Sequence, residues 1–402
     1  MHIAAVNKCS IAVDRIFTNY KLARFCCMNG IAPSGRSKMF LLTVCLLGAL
    51  FSGLTGCTVL RYHDYDGSYP GLEKRLAEAT ETNAAMHIVV VHGIGIHAPG
   101  YATTLGDGLA RQLNLAPLTN SPAMPLVSSK GVTNWIRDFS YENKNRNVIF
   151  HEVTWSPTTS SIKTNAFATD QKLDAHRVRI NKAFKNQLMD SALSDALLYM
   201  NPTFRGTMQE PILQAIEQVA QETGSNDPIV LIASSLGSKM TFDTALAYER
   251  NAKVQHFTER TTDIIMLANQ LPLLHLGTAT DFEKEQLQGR DTVAKQFLQK
   301  SRDDKETRAN RERWRATRRE ATIHVVAATD PNDLLSYPLS RRDIVPDDEN
   351  AGGVRISMSN IYSHNARAIL FVFENPAAAH ENYDQNTWLL KKLVRGYTSS
   401  PR

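Results

Sequence analysis

A serine stands where a short apolar run gives way to a helical pattern. The run Ile229–Ala233 is followed by two serines, a leucine and a glycine. Small residues two positions before and after Ser235, namely Ala233 and Gly237, allow a tight turn that exposes the Ser235 hydroxyl. The start of the helix behind the turn favours negative charge that develops at this position. This pattern predicts a nucleophilic serine, and the chemistry of such a serine is acyl transfer.

Three further segments carry groups that such a reaction requires. The apolar run Met86–Val91 ends at the His-Gly pair 92–93. Asp330 and Asp333 follow a later apolar run, and His380 lies shortly before the last predicted helix. Acyl transfer by a serine needs a base, a group that orients the base, and N–H donors for the oxyanion.

The strand, the small-x-Ser-x-Gly turn and the helix after it resemble the nucleophile elbow of the α/β-hydrolase superfamily. Ala233 replaces the first glycine of the usual elbow, and Ser234 stands where lipase-like members usually carry histidine. The order serine, acid, histidine is also similar to that of the superfamily. The resemblance covers about residues 85–395. It implies an α/β fold, with a mostly parallel central sheet, helices on both faces, and helical insertions that form a cap or lid.

The resemblance also implies a role for each residue. Ser235 would be the nucleophile and His380 the base, while the main-chain N–H groups of Ile94 and Leu236 would bind the oxyanion. The acid would lie in the loop after the fifth strand. Asp333 is favoured there because two leucines follow it.

Two of these roles have competitors. Asp330 is the alternative acid, although it precedes a proline and can shape the turn. His364 competes with His380 but has no helix directly after it. His92 is interpreted as structural, and its neighbours His87 and His97 are spaced so that no metal site is predicted.

Alternating strands and helices must position these groups. Six apolar runs predict strands at Met86–Val91, Asn147–Trp155, Pro228–Ala233, Asp263–Leu267, Thr322–Ala328 and Val354–Ile361. Helical patterns occur near Leu72–Ala79, Thr104–Leu113, Lys239–Arg250 and Asn386–Val394, and Pro211 is predicted to open another helix. Short apolar strands separated by helices indicate a parallel sheet that is covered on both faces.

Two stretches are longer than this fold requires. Residues 156–207 form a largely helical insertion, and residues 277–320 form a second one whose later half is rich in arginine. The first insertion lies where the superfamily builds its cap. Its apolar residues form a stripe, which is interpreted as core packing rather than as the lining of a lipid tunnel. The arginines are interpreted as a solvated helix face rather than a patch for anionic headgroups.

The N-terminal segment resembles the signal of a bacterial lipoprotein. Arg36 and Lys38 precede the apolar run Met39–Phe51, and the segment ends at Leu-Thr-Gly-Cys57. The resemblance implies that residues 1–56 are removed, with Met28 or Met39 as the start, and that Cys57 carries the lipid. Residues 57–84 would then be a tether to a hydrolase domain at 85–402. Thr58 follows the cysteine and favours the outer membrane of the cell envelope.

Composition narrows the classes of function. Six of the 45 basic residues but only one of the 40 acidic residues lie in residues 1–56, so the rest of the chain has no net charge. This balance gives no argument for nucleic acid binding. All five cysteines lie in residues 1–57, which excludes a disulfide or a cysteine nucleophile within the body of the protein. No cofactor is predicted.

These observations together predict a membrane-anchored serine hydrolase that cleaves carboxylic esters, as a lipase or esterase does. Two other hypotheses remain open. An acyltransferase would use the same triad, and a surface lipoprotein would use the same fold as a non-catalytic binding module.

Overall fold

In the part of the chain that the structure describes, the predicted strands lie side by side at the centre of a ten-stranded sheet. The computed structural model describes residues 63–248, 250–276, 322–340, 355–365 and 376–398. Its strands are β1 (Asp64–Asp66), β2 (Ser68–Tyr69), β3 (Met86–Val91), β4 (Ala116–Asn120), β5 (Met124–Val127), β6 (Thr133–Asn143), β7 (Arg146–Thr154), β8 (Ile229–Ser234), β9 (Thr261–Leu267), β10 (Thr322–Thr329), β11 (Arg355–Tyr362) and β12 (Tyr397–Thr398).

The sheet order is β1-β11-β10-β9-β8-β3-β7-β6-β4, with β5 paired to β6. The six central strands are parallel to one another, in the order β11, β10, β9, β8, β3 and β7. The outer strands β1, β4, β5 and β6 pair antiparallel. The prediction of an α/β fold with a mostly parallel central sheet is therefore confirmed, and all six predicted strands are present within two residues of their expected ends.

Both faces of the central strands are buried. Ile88 and Val90 of β3 belong to one apolar cluster, and Val89 and Val91 belong to another on the opposite face. This alternation follows from the two-residue period of a strand. Burying each such side chain stabilises the fold by about 1.5–3 kcal/mol relative to exposure, so fully apolar strands favour a sheet with two covered faces.

The helices that cover the sheet alternate with its strands. They are α1 (Leu72–Glu81), α2 (Thr103–Leu113), α3 (Pro157–Gln171), α4 (Arg179–Phe184), α5 (Ser194–Met200), α6 (Pro202–Glu222), α7 (Leu236–Ala247), α8 (Ala252–Arg260), α9 (Leu271–Leu276), α10 (Pro376–Glu381) and α11 (Thr387–Arg395). A π-helical stretch, Lys185–Leu193, links α4 to α5. Residues of α1, α2 and α11 pack on one face of the sheet, and residues of α6 and α7 pack on the other.

One predicted helix start is wrong. Pro211 lies inside α6, which begins at Pro202 instead. Asn201 caps this start, because its side chain accepts a hydrogen bond from the N–H of Thr203 at 3.0 Å. Buried contacts of Met208 and Ile212, on either side of Pro211, hold the helix together through the proline.

Several predictions concern residues that the structure does not describe. These are the signal segment 1–56 with Cys57 and the second insertion at 277–320. Within the described ranges, no helix is long and apolar enough to cross a bilayer.

Candidate active site

Ser235 occupies a strained turn between β8 and α7. Its φ is +52°, in the left-handed region that non-glycine residues adopt at a cost of about 1–3 kcal/mol. Its N–H donates to the carbonyl of Leu267, at the end of neighbouring β9, at 2.8 Å. The side chain is only 2% exposed, and its Oγ has no hydrogen-bond partner among the described residues. The predicted exposure of the Ser235 hydroxyl is therefore wrong, whereas the strained turn and the uncommitted Oγ agree with a nucleophile.

The turn fits tightly against the loop that follows β3. A Cβ atom on Gly237 would lie 2.3 Å from the carbonyl oxygen of His92. A Cβ atom on Gly93 would lie 2.6 Å from the Cβ atom of Ser235. Both distances are shorter than any ordinary contact, so glycine is required at both positions. The His-Gly segment and the serine turn therefore form one packed unit, although they are separate motifs in the sequence.

His92 holds this loop through its backbone contacts. Its Nδ1 lies 2.8 Å from the carbonyl oxygen of Gly93, and its Nε2 accepts a hydrogen bond from the N–H of Trp155 at 3.1 Å. The Trp155 indole in turn donates to the His92 carbonyl at 2.9 Å. Burial lowers the pKa of His92 well below its usual value, so the ring is neutral and Nδ1 carries the proton. These contacts agree with the structural role that the sequence suggests.

The first insertion holds the loop after Gly93. Asp195, at the start of α5, accepts a hydrogen bond from the N–H of Gly95 at 2.8 Å. Its other oxygen accepts from Thr159 at 2.8 Å and from the Lys163 ammonium at 2.7 Å. The N–H of Ile94 has no acceptor among the described residues. Sequence analysis did not single out Asp195, because an aspartate in a helical insertion resembles an ordinary surface residue.

Two side chains of the apolar stripe predicted in this insertion are not packed in the core. Leu193 and Leu197 are exposed. Phe167 borders a small cleft that it shares with Lys163 and Asp190, and neither Ser235 nor His380 lines that cleft.

Asp333 and His380 form a close pair. Nδ1 of His380 lies 2.9 Å from each carboxylate oxygen of Asp333. A carboxylate only accepts, so Nδ1 carries a proton, and in the neutral ring the lone pair is then on Nε2. The N–H of Leu335 and the hydroxyl of Tyr383 also donate to Asp333, at 2.9 and 3.2 Å. His380 is thus held in the tautomer that a general base needs.

Asp330 is committed to the backbone of its own region. Its side chain accepts hydrogen bonds from the N–H groups of Asn332 at 2.9 Å and Asn365 at 2.6 Å. Its nearest histidine is His364, whose Nδ1 is 4.0 Å away. Burial raises the pKa of Asp330. The two predicted acids therefore contact the two predicted histidines separately, and the geometry favours Asp333 as the partner of His380.

Tyr383 links the two acids. Its hydroxyl accepts a hydrogen bond from the N–H of Asp330 at 2.7 Å while it contacts Asp333. Burial, together with the charge of Asp333, raises the pKa of Tyr383 well above its usual value, so the hydroxyl keeps its proton. The sequence marks this residue only through the spacing Ala-His-x-x-Tyr.

The predicted groups gather at one edge of the sheet, although one contact is absent. Strands β3, β8 and β10 run the same way, so the loops that carry Ile94, Ser235 and Asp333 follow their carboxyl ends. Leu236 begins α7, where the first N–H groups have no acceptor within the helix. Among the described residues there is no hydrogen bond between Ser235 and His380.

Comparison of the sequence with models of known protein families gives no match, and comparison with curated proteins gives none either. The assignment of roles to these residues therefore rests on their geometry. The one group of three metal-ligating side chains found among the described residues, Asp138, His151 and Glu222, lies elsewhere in the fold.

Proposed function

We propose that this protein is a serine hydrolase that cleaves carboxylic esters, with Ser235 as nucleophile, His380 as base and Asp333 as acid. The observation that carries the proposal is the conformation of Ser235. A φ of +52° at a strand-to-helix turn costs free energy and makes no hydrogen bond for Oγ in return. Strain of this kind persists where the surrounding fold maintains it for a function.

The proposed reaction has two halves. Oγ of Ser235 attacks the ester carbonyl carbon while Nε2 of His380 takes the hydroxyl proton. The N–H groups of Ile94 and Leu236 stabilise the oxyanion, and the alcohol leaves with the proton from His380. Water then attacks the acyl-enzyme by the same route and releases the carboxylic acid. Asp333 stabilises the positive charge on His380 in both halves.

The order of the strands supports an α/β-hydrolase fold. The nucleophile follows β8, which lies between β3 with its oxyanion loop and β9. The acid follows β10, which lies next to β9 on the side away from β3. The histidine follows β11 in the chain. This arrangement brings a nucleophile, donors and an acid–histidine pair to the same edge of a parallel sheet, where ligands of open α/β sheets bind.

We further propose that a lipid on Cys57 anchors the protein in the cell envelope, at the outer membrane. Several acyl chains on one residue hold a protein on a bilayer stably, whereas a single chain binds marginally. An anchored hydrolase acts on substrates at or in that bilayer. Lipid esters and other apolar esters are therefore the substrate class that we propose.

The test is labelling of the full chain with a fluorophosphonate, which reacts with activated serines. Ser235→Ala is compared with Ser234→Ala, a matched control one residue away. We expect the label on wild type and Ser234→Ala and its loss in Ser235→Ala. Loss only in Ser234→Ala would assign a different nucleophile. No label on folded wild type would favour the binding-module hypothesis.

A further inference from the structure

A polar cluster lies on one face of the sheet, away from Ser235. His151 of β7 is fully buried and faces Asp138 of β6 in the antiparallel register. Its Nδ1 lies 2.9 Å from a carboxylate oxygen of Asp138 and 3.7 Å from one of Glu222, the last residue of α6. His87, which contacts His151, is five residues before His92 along β3, so the cluster lies roughly 16 Å from the serine turn.

We propose that Asp138, His151 and Glu222 bind a divalent first-row transition-metal ion. One imidazole nitrogen and two carboxylate oxygens form a donor set that suits Mn²⁺, Fe²⁺ or Zn²⁺. The three ligand atoms all lie within 4.8 Å of one another. Two neighbouring ligands at about 2.1 Å from one ion are about 3.0–3.4 Å apart. The distances from Nδ1 of His151 to the oxygens of Asp138 and Glu222 are close to this range, at 2.9 and 3.7 Å.

The charge of the cluster favours a cation. Asp138 and Glu222 bring two negative charges to one point, and in the described part of the chain neither forms an ion pair with lysine or arginine. Glu222 also ends α6, where the negative end of the helix dipole disfavours a carboxylate. A divalent ion would neutralise both carboxylates.

A second layer of contacts already orients the proposed histidine ligand. Nε2 of His151 lies 2.8 Å from Nδ1 of His87, and Nε2 of His87 lies 3.5 Å from Asp227. With a metal on Nδ1 of His151, its Nε2–H donates to His87, and the Nε2–H of His87 donates to Asp227. Both contacts then have one donor and one acceptor. Histidine ligands are commonly oriented by such a carboxylate-terminated chain.

Without a metal ion and with both rings neutral, the same chain lacks a donor. If Nδ1–H of His151 donates to Asp138, its Nε2 must accept from His87, and the bare Nε2 of His87 then faces Asp227. A metal ion on Nδ1 of His151 supplies the missing donor, as an additional proton on one of the two rings would.

The ion would join three elements, since β6, β7 and the end of α6 each supply one ligand. Glu222 is exposed and Asp138 is partly exposed, so the site is open to solvent on one side. Water can complete the coordination there, and the ion can enter without unfolding of the protein. We therefore assign the ion a stabilising role, separate from the proposed ester chemistry.

The test is titration of the full, metal-stripped chain with Mn²⁺, followed by electron paramagnetic resonance of the free ion. Mn²⁺ is chosen because the five cysteines near the N-terminus would bind softer ions. Glu222→Gln and Asp138→Asn are compared with Glu217→Gln, a matched change of charge on the same helix. Thermal unfolding followed by circular dichroism shows whether each variant is folded.

We expect one Mn²⁺ per wild-type chain, with spin-echo modulation from one imidazole nitrogen. Glu222→Gln and Asp138→Asn should each weaken the affinity by about tenfold or more, whereas Glu217→Gln should bind as wild type does. Failure of wild type to bind, an equal affinity in all three folded variants, or a bound ion without the nitrogen signal would overturn the proposal.

Discussion

Nδ1 of His380 lies 2.9 Å from both carboxylate oxygens of Asp333, although 47 residues separate the two in sequence. This contact fixes the tautomer of His380, so it should control the rate of the proposed ester cleavage. We expect Asp333→Asn to lower kcat about a thousandfold or more, because an amide can present its NH₂ group to Nδ1 and favour the wrong tautomer. Steady-state hydrolysis of a short-chain ester measures the effect.

Asp330→Asn is the matched comparison for this prediction. Asp330 holds the N–H groups of Asn332 and Asn365 and is not in contact with His380. Its replacement should lower the stability of the loop and leave kcat within about tenfold of wild type. A larger loss of kcat in Asp330→Asn than in Asp333→Asn would reverse the assignment of the acid.

The close approach of Gly93 to Ser235 gives a second prediction. Gly93→Ala places a methyl group 2.6 Å from the Cβ atom of Ser235, so the loop or the serine must shift. A displacement of about 1 Å at reacting groups costs about a hundredfold in rate, and we expect a loss of that size in kcat. Gly206→Ala is the control, because open space surrounds its Cβ position on α6. Wild-type kcat in Gly93→Ala would show that the loop accommodates the methyl group without displacing Ser235, and would contradict the prediction.

The central strands could be predicted because their burial leaves a simple signal. Strands β3 and β8 are apolar at nearly every position, and such runs favour a sheet covered on both faces. Strand β6 was not predicted, since polar residues such as Arg137 and Asp138 interrupt it and its apolar residues have no strict two-residue period. Its place depends on pairing with β7, which local sequence does not specify.

The site residues also divide into those that a local sequence pattern identifies and those that it does not. Ser235 and Gly237 belong to a local turn whose backbone restricts residue type, so a short pattern identifies them. Asp195 and Glu152 are fully buried carboxylates whose partners come from distant segments. Glu152 accepts a hydrogen bond from the Ala102 N–H and pairs with Arg137 at 2.8 Å. No local pattern distinguishes such residues from exposed acids.

Acid should destabilise the protein before its carboxylates titrate. Burial lowers the pKa of both His92 and His97 below the usual value near 6.5. Below that pH the unfolded chain takes up protons that the folded protein does not, so the free energy of unfolding falls as pH decreases from about 7 to 5. One such histidine contributes up to about 1.4 kcal/mol per pH unit.

Urea unfolding at several pH values measures this dependence. His97→Gln keeps a donor near the carbonyl of Ile94, which the ring of His97 contacts at 3.3 Å, but removes one of the titrating groups. The slope of unfolding free energy against pH should be smaller in this variant than in wild type. An unchanged slope would show that His97 does not contribute.

Asp195 should act on the rate through the oxyanion loop, as a positioning residue. It accepts a hydrogen bond from the N–H of Gly95, which is next to the proposed donor Ile94. It also forms a buried ion pair with Lys163. Asp195→Asn alone leaves the Lys163 charge unpaired, which costs about 3–5 kcal/mol of stability. A loss of activity in that variant would therefore not separate a role in positioning from a loss of folding.

The double variant Asp195→Leu/Lys163→Met separates them. Two apolar side chains of similar volume commonly restore the stability of a buried ion pair, but Gly95 still loses its acceptor. We expect wild-type unfolding behaviour with kcat lowered about ten- to a hundredfold and KM nearly unchanged, since the loop contacts the oxyanion rather than the ground state. Asp174→Asn, a change of the same kind in the same insertion, should leave kcat unaltered. Full activity in the stable double variant would show that the insertion does not position the oxyanion loop.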